Sequence, residues 1–494
     1  MIRYAFAYSV IYVLWLLRRV ISTDGRSYIL LFGPQFQPIL RWIARLRAYA
    51  IFYKASRKCP AYQKFLAAEN FGADGKTGLS NIPIMTKENY VKVYSIEDRC
   101  FGGKIPAPGT VIDESSGSSG IPNNWVRNEY ERDDVKRILQ LNYEILYNDD
   151  DCILLNCFAL GPWATGMNVS MSLVDVGILK SIGPDASKLE NTLTLFGPKY
   201  RYLIFGYPPF LKSWLDNTTL DLSKFKMDAV VGGEGMSENL RDFLLQYFQS
   251  AVSSYGASDL EINIAVETEL TIAIRRLCHE NKELSETLFG RENPPMIFQY
   301  NGADYIIEPN QEGELLFTIL RLDGAAPKIR YNLRDLGGTY SHFDLRTILA
   351  AHGVSIDELS LHQSSFPILF VHGRGDLSVP FYGCKVFPTD MEQIINKNVE
   401  LAGRINSFQL KSVETTDLRK TLNIHLERSK TFKGEILDPE KLRDLIFVEL
   451  CNVSQDFREV TKMFDRSCVE IIVSDFEAGV FAGRDIRIKN KYIA

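Results

Sequence analysis

At 494 residues the chain is too long for one hydrophobic core, so two or three domains are expected. Apolar residues make up 46% and charged residues 24%, an ordinary balance for a folded globular protein. A net charge of −5 with both signs interspersed gives no general electrostatic case for a nucleic-acid partner. Eight cysteines without a C-x-x-C pair fit a reducing cytoplasm and argue against a disulfide framework or a zinc cluster. Cys278-His279 is the only Cys/His adjacency; two neighbouring ligands do not make a tetrahedral site, and the pair reads as structural.

Residues 4–17 are nearly all apolar, flanked by Arg3 and by Arg18-Arg19. The run is shorter than the ~20 residues of a spanning helix, and no small-residue cleavage site follows it. Residues 28–58 continue with apolar stretches studded by Arg41, Arg45, Arg47, Arg57 and Lys58. Two readings of residues 1–58 stay open: helices docked on the main domain, which we expect, and a basic amphipathic segment lying on an anionic membrane surface. From Pro60 to Tyr90 short helices separated by loops are expected, with Thr86 capping a helix start at Lys87-Glu88.

Residues 112–125 read I-D-E-S-S-G-S-S-G-I-P-N-N-W. Gly117 and Gly120 let the backbone reach positive φ, so that consecutive N–H groups can form an anion nest, and Ser115, Ser116, Ser118 and Ser119 add donors that rotate to suit a phosphate oxygen. A flexible Gly/Ser linker is the rival reading, but the run is short and sits between apolar segments. After it, Val135, Ile138, Leu139, Leu141 and Ile145 recur at helical spacing over 128–147. Cys152–Cys157, Tyr202–Gly206 and Ala229–Gly235 read as buried strands. Helices are expected over 169–179, 210–215, 239–248 and 273–287, and Gly313–Thr318 is an alternating strand. Strand, glycine turn and helix in repetition indicate an α/β sheet with ligands outside the carboxyl ends of the strands. Residues 384–494 read as a small α+β domain with strands near 408–414, 421–427 and 469–473 and a helix over 439–452.

Four separated stretches carry a resemblance. With the Ser/Gly loop, Ser254-Tyr255-Gly256-Ala257-Ser258-Asp259 is similar to the Y-G-x-S/T-E box of the adenylate-forming enzymes, and Lys328-Ile329-Arg330-Tyr331-Asn332-Leu333-Arg334-Asp335 to their Y-R-T-G-D box. Gly373-Arg374-Gly375-Asp376, followed by Tyr382-Gly383-Cys384-Lys385-Val386-Phe387-Pro388, resembles the hinge and the segment after it. The boxes occur in the family's order over residues 115–392, and their wording is nearest to the phenylacetate–CoA ligase branch and its capsule-cluster relatives.

The resemblance implies an N-terminal helical extension (1–60), a main α/β adenylation domain (61–374) and a smaller, mobile α+β C-terminal lid (375–494) that turns about Asp376. It implies ATP and magnesium, a carboxylic acid substrate, and coenzyme A or an amine as acceptor. Ser115 to Gly120 would hold phosphates, Gly233 and Glu234 would lie against adenine, and Tyr255 would stack on the base. Gly256, Ala257 and Ser258 would complete the nucleotide site. Asp259, where the family has Glu, would hold magnesium. Asp335 would accept the ribose hydroxyls, and Arg374 would add a ribose or phosphate contact. The segments around Trp163, Tyr207 and Gly233 would form the acid pocket, whose aromatics suggest an aryl or apolar acid. Three positions depart from the pattern. Asn123 follows Pro122 where a lysine is usual, Asp259 is a methylene short, and Arg484 stands at the lysine of the C-terminal G-K-x-x-R motif. Arginine is a planar fork rather than a point charge, so Arg484, or Lys489 or Lys491 in its place, would have to bridge acid and phosphate. A non-catalytic nucleotide-binding scaffold is therefore the alternative from a different class.

Overall fold

The computed structural model of the chain describes residues 24–72, 78–115, 123–147, 151–359, 364–374, 378–398, 401–402, 404–430, 438–462 and 464–482, with Ser9 and Phe432. Helices α1 (Gly25–Leu31), α2 (Gln37–Lys58) and α3 (Pro60–Ala68) open it. Asp24 starts α1 by accepting from the Ser27 N–H at 2.9 Å. These helices are docked on the body of the protein. Phe32 stacks on Phe366 with ring centroids 4.2 Å apart, and Arg47 donates to the Ala303 carbonyl and to Asp304 at 2.7 Å each. Apart from Ser9, residues 1–23 lie outside the described set. Thr86 does cap a helical turn, with reciprocal bonds to Asn89, but the turn is a single π-helical one, Lys87–Val91.

A hairpin of β1 (Val111–Ser115) and β2 (Asn123–Arg127) flanks the Ser/Gly loop. Helix and strand then alternate: α4 (Glu129–Leu146), β3 (Cys152–Asn156), α5 (Ala164–Leu173), β4 (Ile178–Ser181), α6 (Ala186–Phe196), β5 (Arg201–Gly206), α7 (Pro208–Asn217), β6 (Lys226–Gly232), α8 (Glu238–Leu244) and β7 (Ser250–Tyr255). There follow β8 (Ala265–Val266), α9 (Glu269–Glu280), α10 (Lys282–Phe289), β9 (Met296–Tyr300), β10 (Tyr305–Pro309), β11 (Glu314–Ile319), β12 (Tyr331–Tyr340), α11 (His342–Ala351) and β13 (Ile368–Arg374). Strands β3 to β13 form one 11-stranded sheet in the order β10-β11-β12-β13-β9-β8-β7-β6-β5-β3-β4. The pairs from β7 to β4 are parallel and the remainder antiparallel. Burial on both faces explains why the stretches 152–155 of β3, 202–205 of β5 and 229–231 of β6 read as apolar runs.

The last part of the chain comprises β14 (Val379–Phe381), β15 (Cys384–Val386), α12 (Pro388–Lys397), β16 (Ile405–Glu414), β17 (Lys420–Arg428), α13 (Pro439–Val453), α14 (Gln455–Val460) and β18 (Val469–Ser474). It has a core of its own, in which Phe381, Met391, Leu410, Ile424, Ile446 and Phe457 pack together over the three-stranded sheet β16-β17-β18.

Three expected helices are corrected. The helix over 169–179 stops at Leu173; beyond Gly177 the chain runs extended as β4, an edge strand mostly exposed and so without an apolar signature. The charged helix over 273–287 is two helices, because Asn281 ends α9 and its side chain accepts from the Leu284 N–H to cap α10. The helix over 239–248 ends at Leu244, since the chain must turn to enter β7.

Candidate active site at the carboxyl ends of the parallel strands

A cavity of about 1340 Å³ opens where β5, β6 and β7 end. Its wall includes Trp163, Tyr207, Gly233, Glu234, the whole of Tyr255 to Asp259, and Asp335. Ser115 closes β1, and Arg374 closes β13 in register with Asp335 on β12. Ser116, Gly117, Ser118, Ser119, Gly120, Asp376, Arg484 and Lys489 lie outside the described residues.

Tyr255 is the last residue of β7. Its ring lies 6.1 Å from Phe317 at 24° and 5.7 Å from Phe298, so the core fixes its direction. Its hydroxyl donates to Asp335 Oδ2 at 2.6 Å. The backbone that delivers Asp335 is strained: Arg334 sits at φ +63° in the left-handed region, and its N–H donates to the Asn332 side chain at 2.6 Å. A non-glycine residue there is sparsely populated unless the surroundings over-determine it.

Asp259 sits inside a doubled-back loop. The Ala257 N–H donates to the Glu261 carbonyl at 2.9 Å, and a Cβ on Gly256 would come within 2.6 Å of the Ile262 carbonyl carbon, so only glycine fits. The Asp259 carboxylate is buried yet reached by three donors. Trp125 Nε1–H lies 3.1 Å from Oδ1, and the Tyr331 hydroxyl 2.9 Å and Lys87 Nζ 3.4 Å from Oδ2. Burial and the Asp259 charge push the Tyr331 phenol well up, keeping it a donor. This arrangement does not fit a protein-built metal cage. Three donors occupy the oxygens, the ammonium offsets the charge, and no group of three His, Cys, Asp or Glu side chains stands together among the described residues.

Glu234 joins the two parts of the molecule. Its carboxylate, 1% exposed, is paired with Lys420 at the start of β17 and accepts the backbone N–H of Gly383. Ser237 Oγ donates to Glu414 at 2.7 Å beside it. The Tyr207 ring is gripped between two glycines with positive φ: a Cβ on Gly233 would lie 2.8 Å from it, and one on Gly383 3.1 Å.

Away from these polar groups the cavity is apolar. Leu139, Tyr143 and Tyr147 at α4, Leu173 on α5 and Leu203 and Phe205 on β5 line it. His372 also faces it; burial and the nearby Arg291 push its imidazole down to about 4, so it stands there neutral. Asp390 of α12 forms part of the wall, and burial pushes its carboxyl up to about 6.

Several of these residues escaped the sequence reading. Lys87 was legible only as a helix start, and Trp125 and Tyr331 stood inside quoted stretches without a role. Lys420 had no local signal, because nothing in an alternating strand announces a partner 186 residues away.

The large sheet-bearing body with its separate C-terminal unit is a fold shared with solved acid–CoA ligases. Among solved structures, 2-hydroxyisobutyryl-CoA ligase with 2-HIB-AMP and CoA, in its thioesterification state, superimposes with a TM-score of 0.62 at 12% identity, over 92% of this chain and 89% of that one. The same ligase in its postadenylation state with 2-HIB-AMP gives 0.53 at 12% identity, over 93% and 89%. The amide bond synthetase McbA from Marinactinospora thermotolerans is similar at a TM-score of 0.44 and 13% identity, over 87% of this chain and 79% of that one. No family profile matches the sequence, and no curated protein matches it.

Proposed function

We propose that the chain is an ATP-dependent acid ligase that makes an acyl-adenylate from an aryl or apolar carboxylic acid and passes the acyl group to coenzyme A, in the manner of the phenylacetate–CoA ligase branch. In the first half-reaction a carboxylate oxygen bonds to the α-phosphorus of ATP and the bond to pyrophosphate breaks. In the second, the CoA sulfur bonds to the acyl carbon, AMP leaves, and the thiol proton goes to solvent or base. The observation that carries the reading is the convergence of Tyr255, Asp259, Glu234 and Asp335 on one cavity whose other limb is apolar.

The parts fall to this chain's residues as follows. Asp335, held by Tyr255, accepts the two ribose hydroxyls. Gly233 and Glu234 border the base, and Ser115 to Gly120 with Arg374 grip phosphate. Tyr255 meets the base with its outer surface, since Phe317 and Phe298 pack against its ring. Magnesium would be held chiefly by the phosphates of ATP and by water, and would neutralise phosphate charge; Asp259 serves chiefly to fix Lys87, Trp125 and Tyr331. Arg484 or Lys489 supplies the cation for the first step. The acid lies along Trp163, Tyr207 and the apolar limb. Residues 375–494 turn about Asp376 between half-reactions. The better superposition on the thioesterification state supports a Glu234–Lys420 contact belonging to acyl transfer.

Pyrophosphate release with ATP, magnesium and a panel of aryl and aliphatic acids tests the reading, with thioester formation followed in the presence of CoA. Turnover lost by more than about 100-fold in Asp335→Ala supports it. ATP binding without turnover of any acid overturns it in favour of a scaffold, and acyl transfer only to amines overturns the CoA step.

A further inference from the structure

Both signs of charge are interspersed over most of the chain, but its opening segment departs from that pattern. From Met1 through the end of α3 at Ala68 there are eleven lysines and arginines and one acidic residue, Asp24, a net charge of +10. Since the whole chain carries −5, the rest carries −15. The first 68 residues are thus a basic segment on an acidic protein, a pattern that points to a polyanionic partner.

The same segment exposes apolar side chains in a cluster. Leu30 is 68% exposed, Ile39 53%, Trp42 50% and Phe36 38%, all within one turn-and-helix stretch. Among the described residues the other exposed large apolar side chains are scattered along the chain. The inward face of α2 is sealed by Ala44, Ala48 and Ala55, which are buried. Ile39 and Trp42, three residues apart, share the opposite stripe. Arg41 and Arg45 are exposed beside them, and no acidic partner is recorded for either among the described residues.

Basic charge alone would suit any phosphate polymer. A nucleic acid, however, would leave Leu30, Ile39 and Trp42 in water, whereas the boundary of an anionic bilayer accommodates both. Apolar side chains enter the acyl region, the indole sits at headgroup level, and arginines reach the lipid phosphates. No helix among the described residues is long and apolar enough to cross a membrane, so the contact is a lying-on one. We propose that α1, the turn at 34–36 and α2 form a basic, apolar platform that docks the protein on the surface of an anionic lipid bilayer. This stands apart from the reading of the cavity, and its test needs neither ATP nor acid.

The test is sedimentation of the full chain with vesicles of phosphatidylcholine alone and of phosphatidylcholine with about one-third phosphatidylglycerol, at low and high salt. The mixed vesicles are expected to bind at least about tenfold more tightly, and salt to weaken that binding. The double substitutions Ile39→Ser with Trp42→Ser, and Arg41→Gln with Arg45→Gln, are each expected to lower partitioning by about tenfold or more, with melting temperature unchanged because the side chains are exposed. Equal binding to the two vesicle types overturns the proposal. So does binding that survives both double substitutions, which assigns it elsewhere in the chain, and so does displacement by duplex DNA at equal phosphate concentration, which makes the segment a nucleic-acid site.

Discussion

The Tyr255 hydroxyl donates to Asp335 Oδ2 at 2.6 Å, tying the end of the parallel half of the sheet to β12 across 80 residues of sequence. Tyr255→Phe keeps the ring against Phe298 and Phe317 and removes only the donor. A hydrogen bond to a charged group contributes about 1.5–3 kcal/mol, so the substitution is expected to lower the unfolding free energy by about 2 kcal/mol, read by urea titration. On the proposed reading it also weakens ATP binding, by about tenfold, through a less firmly held Asp335.

Lys87 and Asp259 form an ion pair at 3.4 Å in a largely buried setting. Removing one charge strands the other, while removing both leaves no unpaired charge. Lys87→Met, Asp259→Asn and the double variant therefore form a thermodynamic cycle. A coupling of about 1–2 kcal/mol is expected, the double variant being less destabilised than the sum of the singles. Additive effects would show that Trp125 and Tyr331 alone anchor the carboxylate.

Glu234 and Lys420 connect the two units of the molecule through a carboxylate that is almost fully buried. Lys420→Ala leaves that carboxylate with the Gly383 N–H and little else from the C-terminal side. On the proposed reading pyrophosphate release is retained within about threefold, while thioester formation falls by about tenfold or more. Equal losses in both assays would place Lys420 in the first half-reaction.

Asp390 gives a pH dependence with a definite sign. Burial raises its carboxyl to about 6 in the fold, above the ~3.9 of an unfolded chain. The protonated form is the one the fold favours, so the contribution is full below pH ~4 and is lost as pH rises through about 6. Between those limits the C-terminal unit is expected to lose up to about 3 kcal/mol, and Asp390→Asn, which keeps an acceptor for the Phe387 N–H, to flatten the slope. Denaturant midpoints at pH 4, 5, 6 and 7 check it.

Much of the fold was legible because local chemistry dictated it. Strands β3, β5 and β6 are buried on both faces and so appear as apolar runs closed by glycine or a polar turn. Thr86 announces a helical start by a side chain that accepts from the third residue on. Edge strand β4 was not legible, since exposed residues in an extended chain carry no periodic signal. The cavity was half legible. Tyr255, Asp259 and Asp335 stand in recognisable stretches, but the bond between the first and last, and the enclosure of Asp259 by Lys87, Trp125 and Tyr331, depend on a register between distant strands. Glu234 was placed against a base; its pairing with Lys420 across the two units is a tertiary fact.

Helix α4 carries one further implication. One flank lines the apolar limb of the cavity through Leu139 and Tyr143, while on the other Leu141 and Ile145 cluster with Tyr28 and Phe32 of the opening helices. The outer side of that wall is therefore protein, not solvent. A bulkier guest cannot enlarge the chamber by pushing α4 outward unless it also prises α1 away from Phe366. The buttress makes the tolerated size of the guest depend on residues that never touch it, and a shortened chain lacking them would be a looser sieve.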